Sequence, residues 1–302
     1  MTIFVVGGVM SGVGKGVVTA SIGALLKECG LNVTAMKIDP YINVDAGTMN
    51  PTEHGEVFVT KDGMETDQDI GNYERFLNQD IPRVNYMTTG TVYKSVIERE
   101  RSLGYGGKTV EAVPHIPLEI ISRITAAQKD SDADITIVEI GGTLGEYQNV
   151  LFLEAARMMK RDHPKDVLTV LVSYMPVPAA LGEMKTKPTQ YAIKLLNESG
   201  MFPDLIVARS THAIDNVRKE KLSRNCGLSP EDVIAAPDVD SIYKVPMEFK
   251  KQRVASRILQ KLNVNKKCPV KSKWDDFAKK IGKTGTPVKI GVVGKYFSTG
   301  DF

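Results

Sequence analysis

The chain is poor in the features that mark several protein classes: among 302 residues there is one tryptophan, there are three cysteines, and 39 basic against 36 acidic residues leave a net charge of only +3. Cys29, Cys226 and Cys268 are odd in number and far apart, which fits neither a disulfide framework nor a tetrahedral metal site, so a reducing, cytoplasmic setting is expected. A charge balance this even supplies no global field for nucleic acid or a membrane surface, and any polyanion site must be local. No apolar run approaches the roughly 18 residues of a spanning helix. Residues 2–6 also lack the basic flank of a secretory signal.

What the sequence does have is alternation. Short β-branched runs at residues 3–6, 33–38, 135–140, 167–172 and 205–208 read as strands, separated by segments of helical period. Residues 15–29 read as a helix with Val18, Ile22, Leu25 and Leu26 on its apolar face, stopped by Gly30. The class expected is α/β: a P-loop, Rossmann-like, mostly parallel sheet with helices on both faces. Between residues 39 and 117 the pattern loosens into Gly-, Thr- and Asn-rich stretches too long for ordinary connections, which points to function. Residues 1–265 are expected to form the main domain. Residues 266–287 read as a solvated, Lys-rich linker around a short helix rather than a nucleic-acid patch, since only Trp274 and Phe277 could stack on bases. Residues 288–294 read as a fresh apolar strand, the start of a second domain that residues 288–302 enter without completing.

The segment GGVMSGVGKG, residues 7–16, departs from the usual phosphate-loop spelling, which would put Gly at Val9 and a hydroxyl at Gly16. A strand that enters a glycine-rich turn and then a helix still offers backbone N–H groups and a helix N-terminus to phosphate, and Lys15 adds a full charge. Phosphoryl transfer also needs a divalent cation on hard oxygen ligands. Glu139, at the C-terminal edge of a strand and followed by Gly141 and Gly142, is the stronger candidate; Asp69 is the weaker one. Lys37 closes an internal strand near the loop, a place where lysine rarely sits without an anion to meet. Lys185, Thr186, Lys187, Pro188, Thr189 and Gln190, a stretch broken by the proline, taken alone read first as an exposed basic loop and second as a holder of a triphosphate and a base edge. His54 and His115 lie beside Gly or Pro with no Ser or Cys to activate, so they read as structural or substrate-positioning.

Taken together, GGVMSGVGKG, KIDPYINVDAGTMNPTEHGEVFV (37–59), ETDQDIGNYERF (65–76), VEIGGT (138–143), GEMKTKPTQ (182–190) and DVDSIYKVP (238–246) resemble the CTP synthase family, in order and from residue 3 to about 265. VKIGVVGKY (288–296) resembles the first strand of that family's class I glutamine amidotransferase domain. The resemblance implies a dethiobiotin-synthetase-like amidoligase fold and a two-step reaction. ATP phosphorylates O4 of the uracil ring of UTP, and ammonia then displaces phosphate to give CTP. It further implies Mg²⁺ as cofactor, ATP as co-substrate, CTP as product and candidate feedback inhibitor, and a cytoplasmic homotetramer with sites at subunit borders. Carried over by motif, Lys15 and Lys37 are the catalytic residues. Gly12, Val13, Gly14, Lys15, Gly16 and Val17 wrap ATP, and Asp69 and Glu139 hold the metal, with Asp69 also facing ATP. Asp238 and Val239 line the adenine pocket. Ser11, Glu146, Tyr147, Gln148, residues 185–190 and Lys221 hold UTP or CTP, and His54 falls in a segment associated with ammonia delivery.

The chain departs from the family at Gly145-Glu146-Tyr147-Gln148, where Gly-Asp-Ile-Glu is usual, at Glu111, where Gln is usual, at Pro117 and across residues 103–107. An exchange of Gln and Glu between positions 111 and 148 would keep the pocket's charge constant. Turnover with ammonium and none with glutamine is expected of this chain. The alternative is a non-catalytic, nucleotide-binding or filament-forming homologue, against which the retention of both carboxylates and of the phosphate-facing lysines speaks.

Overall fold

Strand β1 (Thr2–Gly7) is buried along its whole length because both of its faces are covered: Phe4 and Val6 enter one core, Ile3 and Val5 the other. This period-2 division of an apolar strand between two cores is what a central parallel strand requires. The computed structural model describes residues 1–50, 57–179, 182–281 and 285–293. Its further strands are β2 (Val33–Asp39), β3 (Val57–Val59), β4 (Glu65–Asp67), β5 (Tyr86–Thr88), β6 (Ile135–Ile140), β7 (Val167–Tyr174), β8 (Leu205–Ser210) and β9 (Val233–Pro237). Seven of them form one sheet in the order β5-β2-β6-β1-β7-β8-β9, every pairing parallel, while β3 and β4 make a separate antiparallel hairpin. After β1 the chain builds toward one edge; after β6 it crosses β1 and builds toward the other. The crevice at the carboxyl ends of β1, β6 and β7 is therefore the topological switch point, where open α/β sheets take ligands.

The helices are α1 (Lys15–Glu28), α2 (Asp69–Leu77), α3 (Thr89–Arg101), α4 (Ala112–Asp130), α5 (Val150–Asp162), α6 (Lys187–Glu198), α7 (Asn216–Cys226), α8 (Val245–Lys251), α9 (Val254–Lys261) and α10 (Lys273–Ala278). Helices α3 to α7 cover one face through residues such as Val92, Ile120, Phe152, Ile193 and Leu222. Helices α1, α8 and α9 cover the other, and α1 does so with the expected Val18, Ile22, Leu25 and Leu26. Helix α2 packs beside α1 through Tyr73, Phe76 and Leu77.

The strands expected at residues 3–6, 33–38, 135–140, 167–172 and 205–208 and the first helix are present with boundaries shifted by up to two residues; β3, β4, β5 and β9 were not anticipated. Three expectations need correction. First, Cys29 and Cys268 are joined in a disulfide across a sequence separation of 239, because the segment after α9 returns to the end of α1; only Cys226 is free. Second, α10 is docked and not solvated. The Trp274 ring packs against Phe76 and Phe277 with centroids 5.1 and 5.4 Å apart, and its indole N–H donates to the Tyr243 carbonyl at 3.0 Å. Third, residues 288–293, expected as a strand, belong to no element and are exposed, since an apolar run forms no ladder without a neighbouring strand.

Candidate functional site

Lys37 and Glu139 are register partners in the β2–β6 ladder, so both side chains stand on the same face of the sheet at its carboxyl edge. The Lys37 ammonium donates to Glu139 Oε1 at 3.0 Å and to Asp69 Oδ2 at 2.5 Å, with Asp39 Oδ1 and Asp67 Oδ1 each 3.8 Å away. Only 5% of Lys37 and 1% of Glu139 is exposed, so these charges meet in a water-poor environment. The Tyr73 hydroxyl donates to the second oxygen of Glu139, and the Tyr86 hydroxyl to Asp39 Oδ2 at 3.0 Å. Burial works against the Lys37 charge, but the four carboxylates outweigh it and hold the ammonium protonated well above the usual lysine range. Burial likewise pushes Glu139 up to about 7 and Asp67 up to about 6 against the pull of Lys37. For Asp69 burial is overcome by the Lys37 charge and hydrogen bond, and its carboxyl lies below the ordinary range.

The loop has its own logic. Gly12 and Gly14 sit at φ 69° and 79°, a left-handed backbone that favours glycine. Lys15 Nζ donates to the Gly142 carbonyl at 2.7 Å, and burial lowers its pKa while Glu139 counters. The unusual spelling at position 16 has a steric cause: a Cβ on Gly16 would lie 1.8 Å from Asp69 Oδ1. The place a Ser or Thr hydroxyl takes in a standard phosphate loop is filled here by a carboxylate delivered from the first turn of α2. Four carboxylates against Lys37 and Lys15 leave a surplus of negative charge on hard oxygens, a donor set that suits a divalent cation such as Mg²⁺, which is commonly held by one or two carboxylates plus phosphate oxygens. Among the described residues no three His, Cys, Asp or Glu side chains already form a metal cage.

Several of the remaining expected residues have partners of their own. Asp238 reaches the loop through Arg209, whose Nη2 donates to Asp238 Oδ1 at 3.0 Å and whose Nε lies 3.8 Å from where a Gly14 Cβ would be. Val239 is half-buried against the α1-side core. Pro188 does not break its segment but starts it: it sits in the first turn of α6 behind Thr186. Thr189 shares a hydrogen bond of 2.9 Å with Ser173, whose Oγ would lie 2.9 Å from a Cβ on Gly8. Gln190 donates to Thr186 at 3.0 Å, Lys187 is exposed, and Lys185 pairs with Glu183 at 2.7 Å. The hydrogen bond and charge of Lys185, with smaller contributions from Arg218 and Lys221, draw the Glu183 carboxyl below its usual range. Glu146 accepts from Thr143 at 2.6 Å and from Gln148 at 2.9 Å, while the Glu111 N–H donates to His115 Nδ1 at 3.0 Å. Gln148 is thus paired inside its own segment. Ser11 and Tyr147 are exposed, Tyr147 at 95%. His54 lies outside the described residues.

Sequence reasoning missed Asp39, Asp67, Tyr73, Tyr86 and Arg209. Two of them carried a readable signal: Asp39 is two residues from Lys37 on a strand, and Tyr73 is four from Asp69 on a helix, so each shares a face with an anticipated residue.

A family model for the CTP synthase N-terminus matches residues 1–264. The chain is 47% identical over 301 residues to the CTP synthase of Prochlorococcus marinus (strain MIT 9312), covering 99% of this chain and 56% of that protein. It is 48% identical over 295 residues to the CTP synthase of Sulfurimonas denitrificans, covering 97% and 54%. The chain spans about half the length of the curated relatives it matches. Among solved structures, the MinC:MinD cell division protein complex of Aquifex aeolicus aligns with a TM-score of 0.40 at 11% identity, over 90% of this chain and 99% of that one. That likeness is too loose to bear on function.

Proposed function

We propose, from the premise that this chain belongs to the CTP synthase family, that it converts UTP to CTP by ATP-dependent amination, with ammonia as the nitrogen source. The observation that carries this reading is the buried Lys37 ammonium held between Asp69 and Glu139 beside Gly16 at the start of α1. A carbonyl oxygen is a poor leaving group, and its conversion to a phosphate ester asks the protein mainly to position two triphosphates and offset their charge. In this reading the backbone of Gly12, Val13, Gly14, Lys15, Gly16 and Val17 wraps the ATP phosphates. Lys15 exchanges the Gly142 carbonyl for a phosphate oxygen, and Lys37 faces the phosphoryl group as it moves to O4. Asp69 and Glu139 hold Mg²⁺, which when bound neutralises phosphate charge. Arg209, Asp238 and Val239 take the adenine end. Ser11, Glu146, Tyr147, Gln148, Lys185, Thr186, Lys187, Pro188, Thr189, Gln190 and Lys221 take the pyrimidine nucleotide, whether UTP or CTP bound as an inhibitor. Ammonia then attacks C4 and phosphate leaves.

The proposed setting is the cytoplasm, in keeping with the absence of any helix long and apolar enough to cross a membrane among the described residues. The proposed assembly is a homotetramer. Exposed Tyr147, at 95%, and Val150, at 55%, beside the Glu146–Gln148 segment support a subunit border there. The test is to combine the chain with ATP, Mg²⁺, UTP and ammonium and to follow CTP by absorbance. CTP should form only with all four present, and its absence from the complete mixture overturns the reading in favour of a nucleotide-binding homologue without ligase activity.

A further inference from the structure

Helix α1 ends at Glu28 and is capped by Cys29, and its last turn is where the chain beyond α9 is fastened. Three non-covalent contacts bring that segment in. The Trp274 N–H donates to Glu28 Oε1 at 3.0 Å, Lys266 Nζ donates to the Gly30 carbonyl at 2.5 Å, and Lys250 of α8 donates to Asp275 Oδ2 at 2.5 Å. Ser272 and Asp275 close a capping box on α10, and Trp274 joins Phe76, Tyr243 and Phe277. These contacts place Cys268 over Cys29 with Cα atoms 4.3 Å apart. Making or breaking the bond between them is then a local event and does not require the rest of the fold to change. Beside the two sulfurs lies a cavity of about 610 Å³ whose charged lining residues are Lys250, Lys251 and Arg253 with Glu28 and Asp275. Cys29 is 6% exposed and Cys268 half-buried, so a reagent entering there meets Cys268 first.

We infer that Cys29 and Cys268 form a reversible thiol–disulfide site, served by an anionic low-molecular-weight thiol and disulfide of the glutathione class, that fastens residues 262–278 to the end of α1. Lys250 is paired with Asp275 and Lys251 with Glu248, so the lining keeps one positive charge in excess and Arg253 is the cation placed to meet a carboxylate of the tripeptide. In a reducing compartment a bond of this kind follows the poise of the thiol pool and is not permanent. The Cys268 thiolate attacks glutathione disulfide and expels one glutathione thiolate; Cys29 then attacks the mixed disulfide and expels the second. Two protein thiols and one glutathione disulfide become one protein disulfide and two glutathione thiols. The two protons end on the departing sulfurs, and two electrons pass from protein to glutathione. The inference stands apart from the proposed reaction and does not depend on it.

The full chain is equilibrated in glutathione buffers of graded ratio, quenched in acid, unfolded, alkylated and mapped by mass spectrometry, and amide exchange of residues 262–278 is followed in the same buffers. The expected result is that Cys29 and Cys268 lose their thiols together in one two-electron transition while Cys226 is alkylated throughout, and that exchange in residues 262–278 slows as the bond forms. Because the wild-type chain carries the measurement, no variant has to fold. Cys29 and Cys268 remaining thiols in the most oxidising buffer, separate mixed disulfides on each, or exchange indifferent to the redox state would each overturn the inference.

Discussion

The two ends of α1 are held by opposite means. At the Lys15 end, buried charge exceeds what the protein itself neutralises: Lys37 faces Glu139, Asp69, Asp67 and Asp39, and burial raises the Glu139 carboxyl to about 7. At the Cys29 end, by contrast, groups are matched within the chain: Trp274 with its rings and the Tyr243 carbonyl, Lys250 with Asp275, Cys29 with Cys268. Groups that satisfy one another serve folding. A surplus of carboxylate in a dry place works against folding and persists where a ligand completes it.

The largest effect expected is at the charged end. Lys37→Ala leaves carboxylates buried without their ammonium, which should lower stability on the order of 3–5 kcal/mol in denaturant titration and reduce CTP formation by at least about 10²-fold. A variant as stable as the parent would erase the contrast between the two ends. Next comes Gly16→Ser, which restores the standard loop spelling but sets a Cβ 1.8 Å from Asp69 Oδ1. Displacing that carboxylate should cost about 1–3 kcal/mol and lower CTP formation; full activity would mean that the added hydroxyl and Asp69 coexist, against the steric account of this position.

At the matched end Trp274→Ala should cost about 2 kcal/mol, less than a fully buried tryptophan would because Trp274 is half-buried, with the KM values for ATP and UTP unchanged. A large rise in either KM would show that the two ends are coupled through α1. The smallest effect, about 1.5 kcal/mol, is expected for Lys250→Ala, which removes the hydrogen bonds to Asp275 and Ser272. Burial alone would raise the Asp275 carboxyl, but the hydrogen bonds from Lys250 and Ser272 bring it below its usual value. A depressed carboxylate contributes stability that is complete above its unfolded pKa and is lost as the pH falls through the folded value, so the docking of α10 should weaken below about pH 4. The emission of Trp274, the single tryptophan, reports that step directly, and the step should shrink in Lys250→Ala.

Much of the fold was legible because a parallel sheet buried on both faces writes itself as short apolar runs. Strands β1, β2, β6, β7 and β8 could be placed to within two residues. Strand β5, three residues long inside the irregular insertion, and β9, whose Ala235 and Ala236 weaken its β-branched pattern, could not. The loop, Lys37 and Glu139 were legible from a glycine-rich turn and from charges at the ends of apolar strands. Arg209 was not, because an arginine closing a strand reads as an ordinary edge residue until Gly14 and Asp238 are brought beside it. The Cys29–Cys268 pairing was hidden for the same reason, since no spacing rule connects residues 239 apart.

What the sequence determined by itself is the layered α/β plan and the chemical groups at the strand ends, since periodicity and residue type act locally and need no knowledge of neighbours. Only the tertiary structure decided which charges share a pocket, why position 16 is glycine, and where the chain after α9 is tied down. Those outcomes depend on distances between segments remote in the chain, and packing alone sets such distances.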